Sequence, residues 1–175
     1  MGERKVTFKG KALTLEGNEM HVGDKAPDFE AVDNNMNSVK FSSYKGKTLI
    51  LSSVISLDTP TCDLQTHRFS ESAAKFGKDV AILTISMDLP FAQKRWCVAA
   101  DVKQVQTLSD YKSADFGKKY GVLIKEWHLL SRAVFVVDKD GIIRHAQYVN
   151  EISDHPDYDQ VLKEVEKLTH SKASV

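Results

Sequence analysis

TLILSSVISLDTPTCDLQTHRFSESAAKF, residues 48–76, changes its hydrophobic rhythm part-way along. Thr48–Ile55 is a short, continuous, β-branched apolar run without strict alternation, which suits a strand buried on both faces of a sheet. Cys62–Phe76 sets Phe69, Ala73 and Phe76 at three- and four-residue spacing, the mark of an amphipathic helix. A buried strand running straight into such a helix is the opening of an α/β unit.

The pattern repeats outward from there. Val80–Met87 and Arg132–Asp138 read as two more buried strands. Helices are expected over Pro90–Ala100, Ala114–Tyr120 and Pro156–Leu168, the last with Val161, Leu162, Val165 and Leu168 on a core face. Two of these open at proline, where the missing N–H costs nothing. Lys139-Asp140-Gly141 turns the third strand into Ile142–Val149 as a hairpin. Upstream, Val6–Gly17 reads as a hairpin turning at Lys9-Gly10-Lys11. A loop through Gly23–Pro27 follows, then extended pieces over Phe29–Val32 and Val39–Phe41. Strand–helix alternation ending in an antiparallel hairpin predicts an α/β domain with a mixed central sheet and right-handed crossovers. No repeat or linker divides the chain, so residues 1–175 are read as one domain.

Composition fits this reading. Apolar residues make up 42% and charged residues 27%, as in an ordinary soluble globule. Lys+Arg and Asp+Glu number 24 each, so no global field points to nucleic acid or anionic lipid. The longest apolar runs fall far short of a membrane span. The charged start leads into no apolar signal region, and Val6 stands where a myristoylation signal wants Ser or Thr. A soluble, cytoplasmic chain is expected, with no nucleic-acid or membrane partner. The histidines are dispersed without ligand spacing, and Asp138–Gly141 lacks the further ligands of a calcium loop, so no metal or cofactor is expected.

Two cysteines do not make a secreted disulfide framework. Cys62 follows Leu57-Asp58-Thr59-Pro60-Thr61, between the buried strand and its helix. Its sulfur therefore belongs to the first helical turn, where unpaired N–H groups and the helix dipole favour a thiolate. Thr59 places a hydroxyl on the same loop, and Pro60 stiffens it. Position alone leaves two readings open: a reactive thiol, or a space-filling one beside a capped helix. Cys97 lies on the next helix, after Asp88-Leu89-Pro90-Phe91-Ala92-Gln93-Lys94-Arg95-Trp96; a lone cysteine there is more often core filler. Arg132 stands at the lip of the third strand, where a guanidinium could reach a site at the sheet end or pair with a surface carboxylate.

Taken together, these segments resemble the thiol peroxidase branch of the peroxiredoxins, of the atypical two-cysteine type. Leu57–Asp63 with Gln65-Thr66 is similar to the peroxidatic loop of that branch, and Asp88–Cys97 to its resolving-cysteine segment. Val22–Phe29, Leu108-Ser109-Asp110, Arg132–Val136, Phe8-Lys9-Gly10 and Pro156-Asp157-Tyr158 match in order, so the resemblance spans residues 6–168. It implies a thioredoxin-like fold with a mixed central sheet and an N-terminal β-hairpin extension, assembled as a homodimer. By matching position it implies that Cys62 is the peroxidatic cysteine, Cys97 the resolving one, and Thr59 with Arg132 the activating pair. The implied activity is an antioxidant peroxidase for hydrogen peroxide and organic hydroperoxides, recycled by thioredoxin through a Cys62–Cys97 disulfide. One position departs: the family's loop has proline four residues before the threonine, where it helps shield the cysteine, and here that residue is Ile55. Leu57, Phe91 and Trp96 tilt the expected substrate toward organic hydroperoxides. Two other functions compete. A general thiol–disulfide oxidoreductase would carry Cys-X-X-Cys, but Thr59 holds the first position. A redox sensor would use oxidation to change a partner contact.

Overall fold

The computed structural model describes residues 4–73, 75–100 and 105–173, with the side chains of 73 and 170–173 outside the description. Lys9 and Gly10 both take positive φ, 49° and 83°, and close β1 (Arg4–Phe8) onto β2 (Lys11–Glu16). That is the two-residue primed turn whose twist suits a hairpin. The short pair β3 (Glu30–Val32) and β4 (Ser38–Lys40) follows. Next come β5 (Thr48–Ser53), α1 (Pro60–Ala73), β6 (Val80–Ser86), α2 (Pro90–Ala100) and β7 (Val105–Ser109). The chain continues with α3 (Asp115–Lys119), β8 (Leu123–Ile124), β9 (Leu129–Leu130), β10 (Ala133–Val137), β11 (Ile143–Tyr148) and α4 (Tyr158–Ala173).

The main sheet runs β11-β10-β5-β6-β7-β3-β4. β5, β6 and β7 are parallel; β10 joins β5 antiparallel, and β3 joins β7 antiparallel. It is the mixed sheet that the sequence predicts. Period-two alternation divides the core between its two faces. Ile50, Val134 and Val136 point to one side, with Phe69 of α1 and Val161 and Val165 of α4. Leu49, Leu51, Ala133, Phe135 and Val137 point to the other, with Phe116 of α3, Tyr120 and Phe29. Of the strands expected to be buried on both faces, every residue of β5 and β10 is buried, and β6 departs at half-buried Ala81.

The second sheet, β1-β2-β8-β9, is the hairpin extended by two short strands. The hairpin is fastened to the far end of the chain, Thr7 N–H donating to Asn150 O at 2.8 Å and Ile152 N–H to Thr7 O at 2.8 Å. Its inward residues Val6, Leu13 and Leu15 share a cluster with Cys62, Ile124 and Ile152.

Several boundaries differ from expectation. α1 begins at Pro60, two residues before Cys62, because Thr59 O accepts the first helical bond and proline fits the first helical position. It ends at Ala73, so Phe76 lies past the helix yet still packs on the sheet, while the Ala73 side chain lies outside the described residues. α3 is shorter than Ala114–Tyr120, since Ala114 adopts left-handed geometry (φ 53°) ahead of it. α4 starts at Tyr158 and runs to Ala173, past the predicted Leu168. β7, β8 and β9 were not expected as strands. Among the described residues, no helix is long and apolar enough to cross a membrane.

Candidate active site

The chain leaves β5 through Val54, whose N–H donates to Ile85 O on β6 at 3.0 Å, and turns over the end of the sheet into α1. Thr59 closes that turn. Its N–H and its hydroxyl both donate to Ser56 O, at 3.1 and 2.9 Å, and its carbonyl accepts the first helical bond from Asp63 N–H at 3.0 Å. Pro60 and Thr61 follow, so Cys62 sits in the first turn among the orphan N–H groups, as its sequence position requires. Cys62 has no exposed surface. Its cluster includes Val54, Ile55 and Leu57 from its own loop, with the hairpin above. Ile55, at the position where the family carries proline, is 7% exposed and forms part of this apolar wall.

Arg132 lies one residue before β10 and is 2% exposed. Its Nε–H donates to Ile152 O at 2.8 Å, and its Nη1 donates to Gln65 Oε1 on α1 at 2.8 Å. Gln65 in turn donates from Nε2 to Ser52 Oγ on β5 at 2.6 Å. Among the described residues the guanidinium pairs with no carboxylate, so a surface salt bridge is not its role. Tyr158 marks what lies nearby: burial pushes its phenol upward, Arg132 and Arg68 pull it back down, and Cys62 pushes it further up. Through Gln65, one turn after Cys62 on α1, the guanidinium is held beside the Cys62 helix at the C-terminal end of β5.

Asp88 fastens the loop before Cys62 to the segment that leads into α2. Its carboxylate accepts from Ser56 Oγ at 2.7 Å, from Leu57 N–H at 2.9 Å and from Ser86 Oγ at 2.7 Å. Further along, Trp96 Nε1–H donates to Asp63 Oδ1 at 2.8 Å, so α2 and α1 are tied again beside the two cysteines. Cys97 is half-buried, with Sγ 3.5 Å from Thr107 Oγ1 and 3.9 Å from Asn34 Nδ2. Both cysteines are free, and their sulfurs lie in different surroundings: one under the hairpin, the other against β7. Of the three apolar residues expected around the thiol, Leu57 belongs to its cluster and Trp96 packs on it, whereas Phe91 is 66% exposed and does not.

The sequence reading assigned no part to Gln65, Asp88 or Tyr158, although each stands inside a quoted motif. Leu108-Ser109-Asp110 holds the scaffold instead: Asp110 accepts from Phe116 and Gly117 N–H at 3.1 and 2.8 Å, at the start of α3. A cavity of about 400 Å³ lined by Lys25, Phe41, Lys47, Leu49 and Lys139 opens at the opposite end of β5, with no residue of the cysteine cluster in it. Among the described residues, no group of three or more His, Cys, Asp or Glu gathers to hold a metal ion.

Residues 21–162 match the family model described as Redoxin. The chain belongs to the Redoxin family. Within it the chain is similar to thiol peroxidases. The chain is 53% identical over 162 residues to the thiol peroxidase of Oceanobacillus iheyensis, covering 93% of this redoxin and 98% of that protein. It is 48% identical over 163 residues to the thiol peroxidase of Bacillus subtilis, covering 93% and 97%. The crystal structure of a peroxiredoxin-like protein from Aquifex aeolicus superposes with a TM-score of 0.88 at 39% identity, covering 94% of this redoxin and 97% of that chain. The thioredoxin-like fold and the peroxiredoxin resemblance both stand.

Proposed function

We propose that this redoxin is a thiol-dependent peroxidase acting on hydrogen peroxide and organic hydroperoxides, with Cys62 as nucleophile and Cys97 as resolving thiol. One observation carries the reading: a buried guanidinium, bonded among the described residues only to neutral acceptors, is held by Gln65, one helical turn after a buried cysteine in the first turn of α1. A buried cation without an anion is costly, and a thiolate or a peroxide oxygen carrying developing charge offsets that cost.

Cys62 thiolate attacks the terminal peroxide oxygen. The S–O bond forms as O–O breaks, sulfur is oxidised to sulfenic acid, and the leaving oxygen takes a proton to depart as alcohol or water. Arg132 steadies the charge that develops along O–O, because its two fixed bonds use only two of five N–H donors. Thr59, whose hydroxyl proton points to Ser56 O, offers its oxygen to accept the peroxide O–H. The Cys97 thiol then displaces the sulfenic oxygen as water, leaving a Cys62–Cys97 disulfide. An external dithiol, read as thioredoxin, reduces that bond by exchange and is itself oxidised. No cofactor enters the cycle. Residues 1–175 act as one domain, and Leu89 and Phe91, 54% and 66% exposed, supply apolar surface for a homodimer in the cytoplasm.

Stopped-flow peroxide consumption with thioredoxin, its reductase and NADPH tests the cycle. Rapid turnover with both peroxide classes is expected. Disulfide reductase activity without peroxide consumption would favour the general oxidoreductase, and one oxidation per chain without recycling would favour a sensor.

A further inference from the structure

We infer that Trp96 is a positioning residue for the resolving step: its bond to Asp63 locks the Cys97 helix in an arrangement that holds the two sulfurs apart. The inference rests on the function proposed above, in which Cys62 and Cys97 form the redox couple.

The argument is one of helix geometry. Asp63 follows Cys62 directly on α1, and Trp96 precedes Cys97 directly on α2. Adjacent residues on a helix project about 100° apart, since 3.6 residues complete a turn. When Asp63 and Trp96 face one another across the two helices, neither neighbouring cysteine can also face along that line. The side chains follow this rule. Asp63 Oδ1 accepts the indole N–H at 2.8 Å, while Cys62 points into the hairpin cluster and Cys97 points at Thr107 and Asn34. His67, one turn on from Asp63, adds to the grip. Its ring lies 5.5 Å from the indole, and its Nε2 lies 3.7 Å from the same carboxylate oxygen. The contact that draws α1 and α2 together is thus the contact that keeps the thiols from meeting.

Joining the sulfurs needs Cα atoms within ~7 Å and Cβ vectors turned inward, so at least one helix must rotate or unwind locally. A bond between an indole N–H and a carboxylate is charge-assisted, among the stronger hydrogen bonds a protein makes. It has to break before Cys97 swings toward the sulfenic acid. No outside reactant is required: Cys62–SOH and Cys97–SH give the disulfide and water.

Trp96→Phe tests this, because it keeps an aromatic ring against His67 and removes the N–H. The variant and the parent are mixed with one equivalent of hydrogen peroxide, quenched at intervals, and analysed by mass spectrometry for thiol, sulfenic acid and disulfide. The ratio of the disulfide-forming rate to the peroxide-attack rate should rise about tenfold in Trp96→Phe, the scale of losing one charge-assisted bond. Sulfinic acid at excess peroxide should fall in step. Asp63→Ala removes the other partner and should raise the same ratio, with the double variant no faster than either single. An unchanged or lower ratio in Trp96→Phe, or additive gains in the double variant, would overturn the lock while leaving the cysteine couple intact. If melting curves show Trp96→Phe to be unfolded, Asp63→Ala decides by the same ratio. A parent that forms no Cys62–Cys97 disulfide would overturn the proposed function, and this inference with it.

Discussion

Arg132 is the residue on which burial and chemistry meet. A guanidinium shut away from water at 2% exposure is expensive unless something negative comes to it, and the residues that hold it are neutral. Arg132→Met should therefore lower the second-order rate of peroxide attack by about 10²-fold, as loss of a positioned oxyanion donor does, without loss of the folded state. Arg132→Lys should recover little, because one ammonium cannot reach Gln65 Oε1 and Ile152 O in the same fork. Stopped-flow kinetics beside circular dichroism separates the two effects; parent-like rates in Arg132→Met would return the arginine to a structural part. Ile55 poses the opposite question. It fills the wall over Cys62 as an apolar side chain, so Ile55→Pro should change peroxide reactivity by less than ~10-fold while raising the peroxide concentration needed to overoxidise Cys62. A threshold identical to the parent's would show that isoleucine shields as well as proline.

At the scale of elements, the helix that carries Cys97 and the turn that starts α3 make different predictions. Cys97→Ser leaves Cys62 and Arg132 in place, so it should still consume about one equivalent of peroxide per chain and then stall with thioredoxin. Steady turnover in that variant would put Cys97 back in the core. α3 is held by Asp110, whose carboxyl is pushed up from 3.8 to about 6, first by burial, against the pull of Gly117 and Phe116 N–H. A folded value above the unfolded one means that the stability tied to this group is complete below about pH 4 and is lost as pH rises through about 6. The shift corresponds to roughly 3 kcal/mol. His145 on β11 runs the other way. Burial lowers it from 6.5, with Glu164 and Asp157 pulling it back, and its Nε2 has no hydrogen-bond partner among the described residues. Its contribution is present above pH 6.5 and is lost as pH falls. Urea denaturation at intervals from pH 4 to 7 should show both slopes; Asp110→Asn should flatten the Asp110 slope and leave that of His145. An unchanged profile in Asp110→Asn would assign the slope to another group.

Across the whole molecule, the first strands close over a thiol that belongs to the middle of the chain. Val6, Leu13 and Leu15 cover Cys62, and the hairpin's bond to Ile152 runs on through Arg132 and Gln65 to α1. Leu13 is 1% exposed, so Leu13→Ala should cost about 2–5 kcal/mol of stability by cavity formation. The same variant should speed alkylation of Cys62 by iodoacetamide relative to Cys97, because the space opens above that sulfur. Unaltered alkylation of Cys62 would mean that the hairpin is fastened there without shielding it.

Local signals carried much of this protein. The continuous apolar runs of β5, β6 and β10 and the three- and four-residue spacing in α4 are properties of short windows, so these strands, that helix and the mixed α/β class were legible from them. So was the place of Cys62 in a first helical turn, since a Pro at the helix start is a local instruction. β7 was not legible because its sequence, VQTLS, mixes polar and apolar residues and becomes a strand only by pairing with β6. β8 and β9, two residues each, exist only because β2 lends β8 an edge and β8 lends one to β9. The parts given to Gln65, Asp88 and Tyr158, and the pairing of Trp96 with Asp63, depend on contacts between residues distant in the chain. Residue type and spacing state what a side chain can do. Which partner it finds is decided by how the sheet stacks its crossovers, and only the tertiary structure contains that.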